Sequence, residues 1–189
     1  MFGGTFDPPH VAHLVTAIEA RAALSLDVVL MVVANHPWQK VGTRTITPAA
    51  DRLAMVEAAV EDLDGIEASD LEIRRGGSTY TVDTLEDLAG EDPDGERFVI
   101  LGADAAAGLR TWERPDDVAA LCRIAVVDRP GATGAVPPGF RVDRIDVPQL
   151  EISSTDLRAR AASGRSLRFL VPDRVISVVR DRRLYGEQP

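Results

Sequence analysis

Cysteine is nearly absent from this chain: Cys122 is the only one in 189 residues. One thiol cannot close an intramolecular disulfide, and it rules out any multi-cysteine metal site. Long apolar runs are missing too. Stretches such as "VVLMVVA" (28–34) are far too short to cross a bilayer, so no membrane partner is expected. The N-terminus lacks the basic-then-apolar order of a secretory signal, which makes the cytoplasm the expected location. Positive charge is in short supply, with 21 Lys plus Arg against 30 Asp plus Glu and a net charge of −9. An acidic body repels nucleic acid, so none is expected as a partner, and a phosphate ligand would need local positive charge. Lysine is the scarcest cation: Lys40 stands alone among arginines. Either that is chance, or a compact ammonium is wanted at that position, since Lys and Arg are not equivalent.

What is present is an ordinary globular composition, 45% hydrophobic and 27% charged. The length suits one domain spanning 1–189. The runs "VVLMVVA" (28–34), "RFVILGA" (97–103) and "RIAVVD" (123–128) read as central strands of a parallel sheet covered on both faces. Helical patterns lie between them. Val11, Leu14, Val15, Ile18 and Ala22 share one helical face. Thr47 and Pro48 read as a cap and first helical residue, with Leu53, Val56 and Val60 lining the apolar side. Further helices are expected over Thr81–Ala89, Ser153–Ala162 and Pro172–Arg182, with Gly164 as a stop signal. This alternation predicts an α/β fold: a Rossmann-like, doubly wound parallel sheet in a single domain. The Pro/Gly-rich stretch 129–140 is expected to be an exposed loop.

In such sheets ligands bind beyond the carboxyl ends of the strands. The polar junctions there are "GGTFDPPHVAH" (3–13), "NHPWQK" (35–40), "GADAAAGL" (102–109) and "EISSTDLRAR" (151–160). In the first, Gly3 and Gly4 permit a tight turn and close ligand approach. Pro8 and Pro9 delay the helix, which then starts near His10. Its amides and positive dipole end suit a phosphate, and His10 and His13 share a face. A plain turn with two surface histidines fits the same spacing. A metal fits less well, because His10, His13 and Asp7 give at most three ligands without the i, i+4 spacing of zinc hydrolases. In the last junction Ser153 and Asp156 fit a capping box. Ser154 and Arg158 could instead make a second anion site, and two helix starts on one ligand suggest a polyphosphate.

"GGTFDPPHVAH" resembles the Gly-Gly-Thr-Phe-Asp-Pro-x-His-x-Gly-His signature of nucleotidyltransferases related to class I tRNA synthetases. "ISSTDLR" (152–158) resembles the Ile-Ser-Ser-Thr-x-x-Arg signature that accompanies it. "RRGGSTYTVDTL" (74–85) and "LGADAAAGLRTWERP" (101–115) are similar to segments of the bacterial nicotinate-nucleotide adenylyltransferase family. The resemblance covers essentially the whole chain. It implies adenylyl transfer from ATP to nicotinate mononucleotide, giving deamido-NAD and pyrophosphate, with Mg²⁺ carried by ATP and no metal held by the protein. It implies that Gly4, Thr5 and Phe6 contact nucleotide and that His10 and His13 hold the ATP phosphates. Lys40, Ser154 and Arg158 would take the triphosphate, and Gly102 and Asp104 the adenosine ribose. His10, His13, Lys40 and Arg158 would be catalytic. Tyr80 and Thr81 would bind the nicotinate carboxylate and Trp112 would stack on its ring, with Asn35, in the loop nearby, also binding the mononucleotide. Asp83 reads as a first-turn helix residue.

Two departures stand out. Ala12 replaces the glycine between the histidines, and Asn35 and His36 stand where a Pro and small polar residues are expected. Pantetheine-phosphate adenylyltransferase shares the opening signature but lacks the other segments. A paralogue using another mononucleotide, a nucleotide-binding module without turnover, and a homo-oligomer all remain open on the sequence.

Overall fold

A computed structural model describes residues 1–36, 46–128 and 135–186. The strands are β1 (Phe2–Gly4), β2 (Val29–Val33), β3 (Ile66–Ser69), β4 (Phe98–Gly102), β5 (Arg123–Asp128) and β6 (Val142–Asp146). β1, β2 and β3 pair in that order, as do β4, β5 and β6, and every pairing is parallel. Met1 joins the two triplets. Its nitrogen donates to the Phe98 carbonyl at 2.6 Å, and its carbonyl accepts from Ile100 at 2.9 Å. The strands thus run 3-2-1-4-5-6, and the order reverses between β1 and β4, where an open α/β sheet forms its ligand crevice.

The helices are α1 (Val11–Ala23), α2 (Ala49–Val60), α3 (Leu71–Arg75), α4 (Thr81–Glu91), α5 (Ala103–Ala107), α6 (Pro115–Leu121), α7 (Ser154–Ala162) and α8 (Asp173–Asp181). The expected central strands are present, and Met31, Val32, Val33, Val99, Ile100, Ile124, Ala125 and Val126 are almost completely buried. Burial on both faces is what a continuous apolar run requires. One apolar cluster gathers α1, α2 and α8 around the first strands; another lies under α4, α5 and α6.

Two local expectations need correction. On α1 the buried side chains are Ala17 and Ala20, whereas Ile18 is 43% exposed and Ala22 faces solvent. Small alanines let the helix backbone approach the sheet closely, while Leu14, on the expected face, is half-buried against the core. On α2 the N-cap position falls on Pro48, not Thr47, and the Thr47 carbonyl is taken by Arg52 Nε at 2.8 Å. The stretch β3 and the short helices α3, α5 and α6 carry too few residues for a periodic signal. By contrast, Ser153 caps α7 by accepting from the Asp156 amide at 3.1 Å, and Gly164 follows at φ 69°. No described helix is long and apolar enough to cross a membrane.

Candidate active site

The loop from Thr5 to His10, between β1 and α1, is buried along its whole length. A buried loop must find partners for its carbonyls, and here side chains from distant helices supply them. Arg52 Nη1 on α2 donates to the Thr5 carbonyl at 2.9 Å. Arg158 Nη1 on α7 donates to that of Asp7 at 2.7 Å. Ser154 Oγ, at the start of the same helix, donates to that of Pro8 at 2.9 Å. The Asp7 carboxylate, 1% exposed, accepts from the Tyr185 hydroxyl at 2.7 Å. Burial and the neighbouring Asp7 charge push that hydroxyl far above the usual tyrosine range.

Aromatic packing fixes the rest of the loop. Phe6 is 2% exposed and sits at φ 48°. Its ring meets His13 edge-on at 5.1 Å and Phe2 at 5.7 Å. A side chain on Gly4 would come within 2.7 Å of that ring, so position 4 has no room for one. His10 is the N-cap of α1, and its ring stacks on that of His13 at 3.7 Å. The His10 amide donates to His13 Nδ1 at 3.2 Å. Nδ1 is therefore unprotonated, which puts the ring proton of a neutral His13 on Nε2. Burial lowers the His10 pKa to about 4, so His10 is neutral at physiological pH. The first amide of α1, on Val11, is satisfied by the Leu170 carbonyl at 3.0 Å.

The starts of α1 and α7, about 140 residues apart in sequence, thus meet over one loop. Ser154 and Arg158 hold the loop that ends at His10. One hydroxyl and one guanidinium nitrogen are engaged with the loop itself, and Arg158 Nη2 also reaches Thr155 Oγ1 at 3.1 Å.

A cavity of about 260 Å³ opens at the β1/β4 reversal. Gly4 and Thr5 line it from one half of the sheet; Tyr80, Thr81 and Trp112 line it from the other. Tyr80 and Thr81 are there because α4 begins at Thr81 with Tyr80 as its N-cap. Trp112 packs partly on the second apolar cluster and partly borders the cavity. Glu72, 3% exposed, also lines the cavity. Burial raises its carboxyl pKa, opposed by the Thr84 hydroxyl and by the Arg75 and Arg52 charges. Thr84 Oγ1 donates to Glu72 Oε1 at 2.8 Å.

The other expected residues fall as follows. Gly102 caps α5 at the end of β4, and Asp104 is exposed in that helix's first turn. Asn35 does not line the cavity; its side chain donates to the Gly77 carbonyl at 3.1 Å. Lys40 lies outside the described residues, as does the segment 129–134. Among the described residues no three His, Cys, Asp or Glu side chains gather as metal ligands. Sequence reasoning passed over Arg52, Glu72 and Tyr185. Arg52 did leave a signal: it stands three and four residues before Met55 and Val56, a charge in the middle of an apolar stripe.

A sequence model of the cytidylyltransferase-like family matches residues 1–160. This chain belongs to the cytidylyltransferase-like family. Its relatives include proteins named probable nicotinate-nucleotide adenylyltransferase. That of Streptomyces coelicolor is 44% identical, covering 97% of this chain and 98% of the relative. That of Exiguobacterium sibiricum is 41% identical, covering 98% and 97%. The fold matches that of the Plasmodium falciparum nicotinic acid mononucleotide adenylyltransferase complexed with NaAD. The TM-score is 0.80 at 18% identity, over 97% of this chain and 95% of the other. The same enzyme complexed with APC aligns with a TM-score of 0.78 at 17% identity, over 97% and 94% of the two chains.

Proposed function

We propose that this protein transfers an adenylyl group from ATP to nicotinate mononucleotide, releasing pyrophosphate and deamido-NAD. The observation that carries the reading is the shared loop. Gly4 and Thr5 border the cavity of Tyr80, Thr81 and Trp112, while the same loop ends at His10 and is held by Ser154 and Arg158. One segment thereby touches a phosphate site and an acceptor site.

In the reaction a 5′-phosphate oxygen of the mononucleotide attacks the α-phosphorus of ATP in line, and pyrophosphate leaves on the opposite side. No side chain forms a covalent intermediate. The protein contributes position and charge stabilisation. His13 would donate through Nε2–H to the reacting phosphate, and neutral His10 would hold its ring in place by stacking. Arg158, Ser154 and Lys40 would receive the charge that develops on the leaving pyrophosphate. Backbone atoms of Gly4, Thr5 and Phe6 would border the nucleotide, and Gly102 and Asp104 its ribose. Tyr80 and Thr81, at the start of α4, would offer amides to the nicotinate carboxylate, with Trp112 against the ring and Asn35 shaping the adjoining loop. Nucleotidyl transfer from ATP generally uses a divalent metal; Mg²⁺ would arrive on the ATP phosphates as part of the substrate. The enzyme would act in the cytoplasm, on small molecules.

The test is direct. Purified protein with ATP, Mg²⁺ and nicotinate mononucleotide is expected to release pyrophosphate, and faster than with nicotinamide mononucleotide. Absence of release while ATP still binds would leave only a nucleotide-binding module.

A further inference from the structure

Arg52 is 1% exposed and sits on the buried stripe of α2 with Met55, Val56, Ala59 and Val60. A charge in such a stripe is costly unless every donor finds a partner. A well-packed apolar residue would fill the same volume without that cost. The guanidinium instead divides its donors among three separate backbone segments. Nη1 meets the Thr5 carbonyl at 2.9 Å, Nη2 that of Asn35 at 3.1 Å, and Nε that of Thr47 at 2.8 Å. Thr5 follows β1, Asn35 follows β2 and Thr47 leads into α2. Arg52 also acts electrostatically on Glu72, which lines the cavity.

We propose that Arg52 is a positioning residue for adenylyl transfer: its rigid planar fork fixes the loop after β1 relative to the loop after β2. This rests on the function proposed above. Arg52 touches no reacting atom. It sets where Thr5, and with it the loop ending at His10, stands against Asn35, whose side chain ties in turn to Gly77 beside the Tyr80–Thr81 turn. An in-line displacement is sensitive to such placement, since an error of about 1 Å can cost ~10²-fold in rate. Lysine cannot replace the fork, because one ammonium cannot reach three carbonyls in a plane.

The experiment compares wild type, Arg52→Lys and Arg52→Met in three readouts: steady-state kinetics, ATP binding, and amide hydrogen exchange. Arg52→Lys is expected to fold, to bind ATP within about threefold of wild type through the α7 side, and to lose kcat by ~10–100-fold. KM for nicotinate mononucleotide is expected to rise. Exchange is expected to quicken at residues 4–7 and 34–36 and to stay unchanged in β4 and β5. Arg52→Met should show the same pattern more strongly; if it does not fold, Arg52→Lys alone decides. A folded Arg52→Lys with wild-type kcat and KM overturns the proposal. So does a loss of rate that only tracks the folded fraction, with no local change in exchange. If wild type itself shows no turnover, the functional reading fails, and the exchange pattern still decides whether Arg52 fixes the two loops.

Discussion

Removing one oxygen atom from Tyr185 tests how the loop before α1 is held. Its hydroxyl donates to Asp7 Oδ1 at 2.7 Å, and Asp7 is 1% exposed. Tyr185→Phe keeps the ring and its place beside Met55 but deletes the donor. A hydrogen bond to a buried carboxylate is worth about 1.5–3 kcal/mol. At roughly 2–4 °C per kcal/mol for a domain of this size, a loss near 2 kcal/mol lowers Tm by roughly 4–8 °C. Differential scanning calorimetry at pH 7.5 reads this directly. The pH dependence gives a second signature. The native hydroxyl titrates far above the ordinary tyrosine value of about 10. Wild-type stability is therefore intact below pH ~10 and falls above it, where the unfolded chain gives up its proton first. The phenylalanine variant lacks that component of the alkaline loss. A Tm within about 1 °C of wild type, with an unchanged alkaline limb, would show that Asp7 does not depend on this donor and would refute the account of the loop.

Three further outcomes follow from the same geometry. His13→Ala is expected to lower kcat by about two orders of magnitude or more, the usual cost of one lost transition-state donor; near-normal turnover in a pyrophosphate-release assay would remove His13 from the mechanism. His10 has a native pKa of about 4 against 6.5 unfolded. It contributes stability that is complete above pH 6.5 and is lost as pH falls toward 4, on the order of 3 kcal/mol; urea titrations of wild type and His10→Gln should differ in slope across that window. Gly4→Ala places a methyl group 2.7 Å from the Phe6 ring, which Phe2 and His13 flank. It is expected to cost about 1–3 kcal/mol and to lower turnover; a variant as stable as wild type would mean that the ring has room to move.

Local chemistry was legible and long-range chemistry was not. The buried strands β2, β4 and β5 announced themselves as unbroken apolar runs. Ser153 and Asp156 announced a helix start, because a cap needs only neighbours three residues apart. The two glycine- and serine-bearing junctions at 3–13 and 152–158 could be paired in advance by resemblance to a family. The short strand "IEAS" (66–69) has one fully buried residue and so shows no alternation. The inward face of α1 was misjudged because hydrophobicity alone favours Ile18, whereas close packing favours Ala17 and Ala20. The distant side chains that hold the loop's carbonyls and the Asp7 carboxylate could not be read from local pattern at all. Arg52, Arg158 and Tyr185 reach Thr5 and Asp7 across 47, 151 and 178 residues, and no periodicity encodes such a meeting. Asn35, expected to face substrate, spends its side chain on Gly77, which only the fold could reveal.

The bond between Tyr185 and Asp7 also has a meaning for synthesis. The ribosome makes the Thr5–His10 loop well before the hydroxyl that secures it, which arrives 178 residues after Asp7. Until α8 has emerged and folded against α2, that loop waits with a buried-to-be carboxylate in water. A chain stalled or clipped before Tyr185 would thus carry both signature segments while the loop before α1 lacks that anchor.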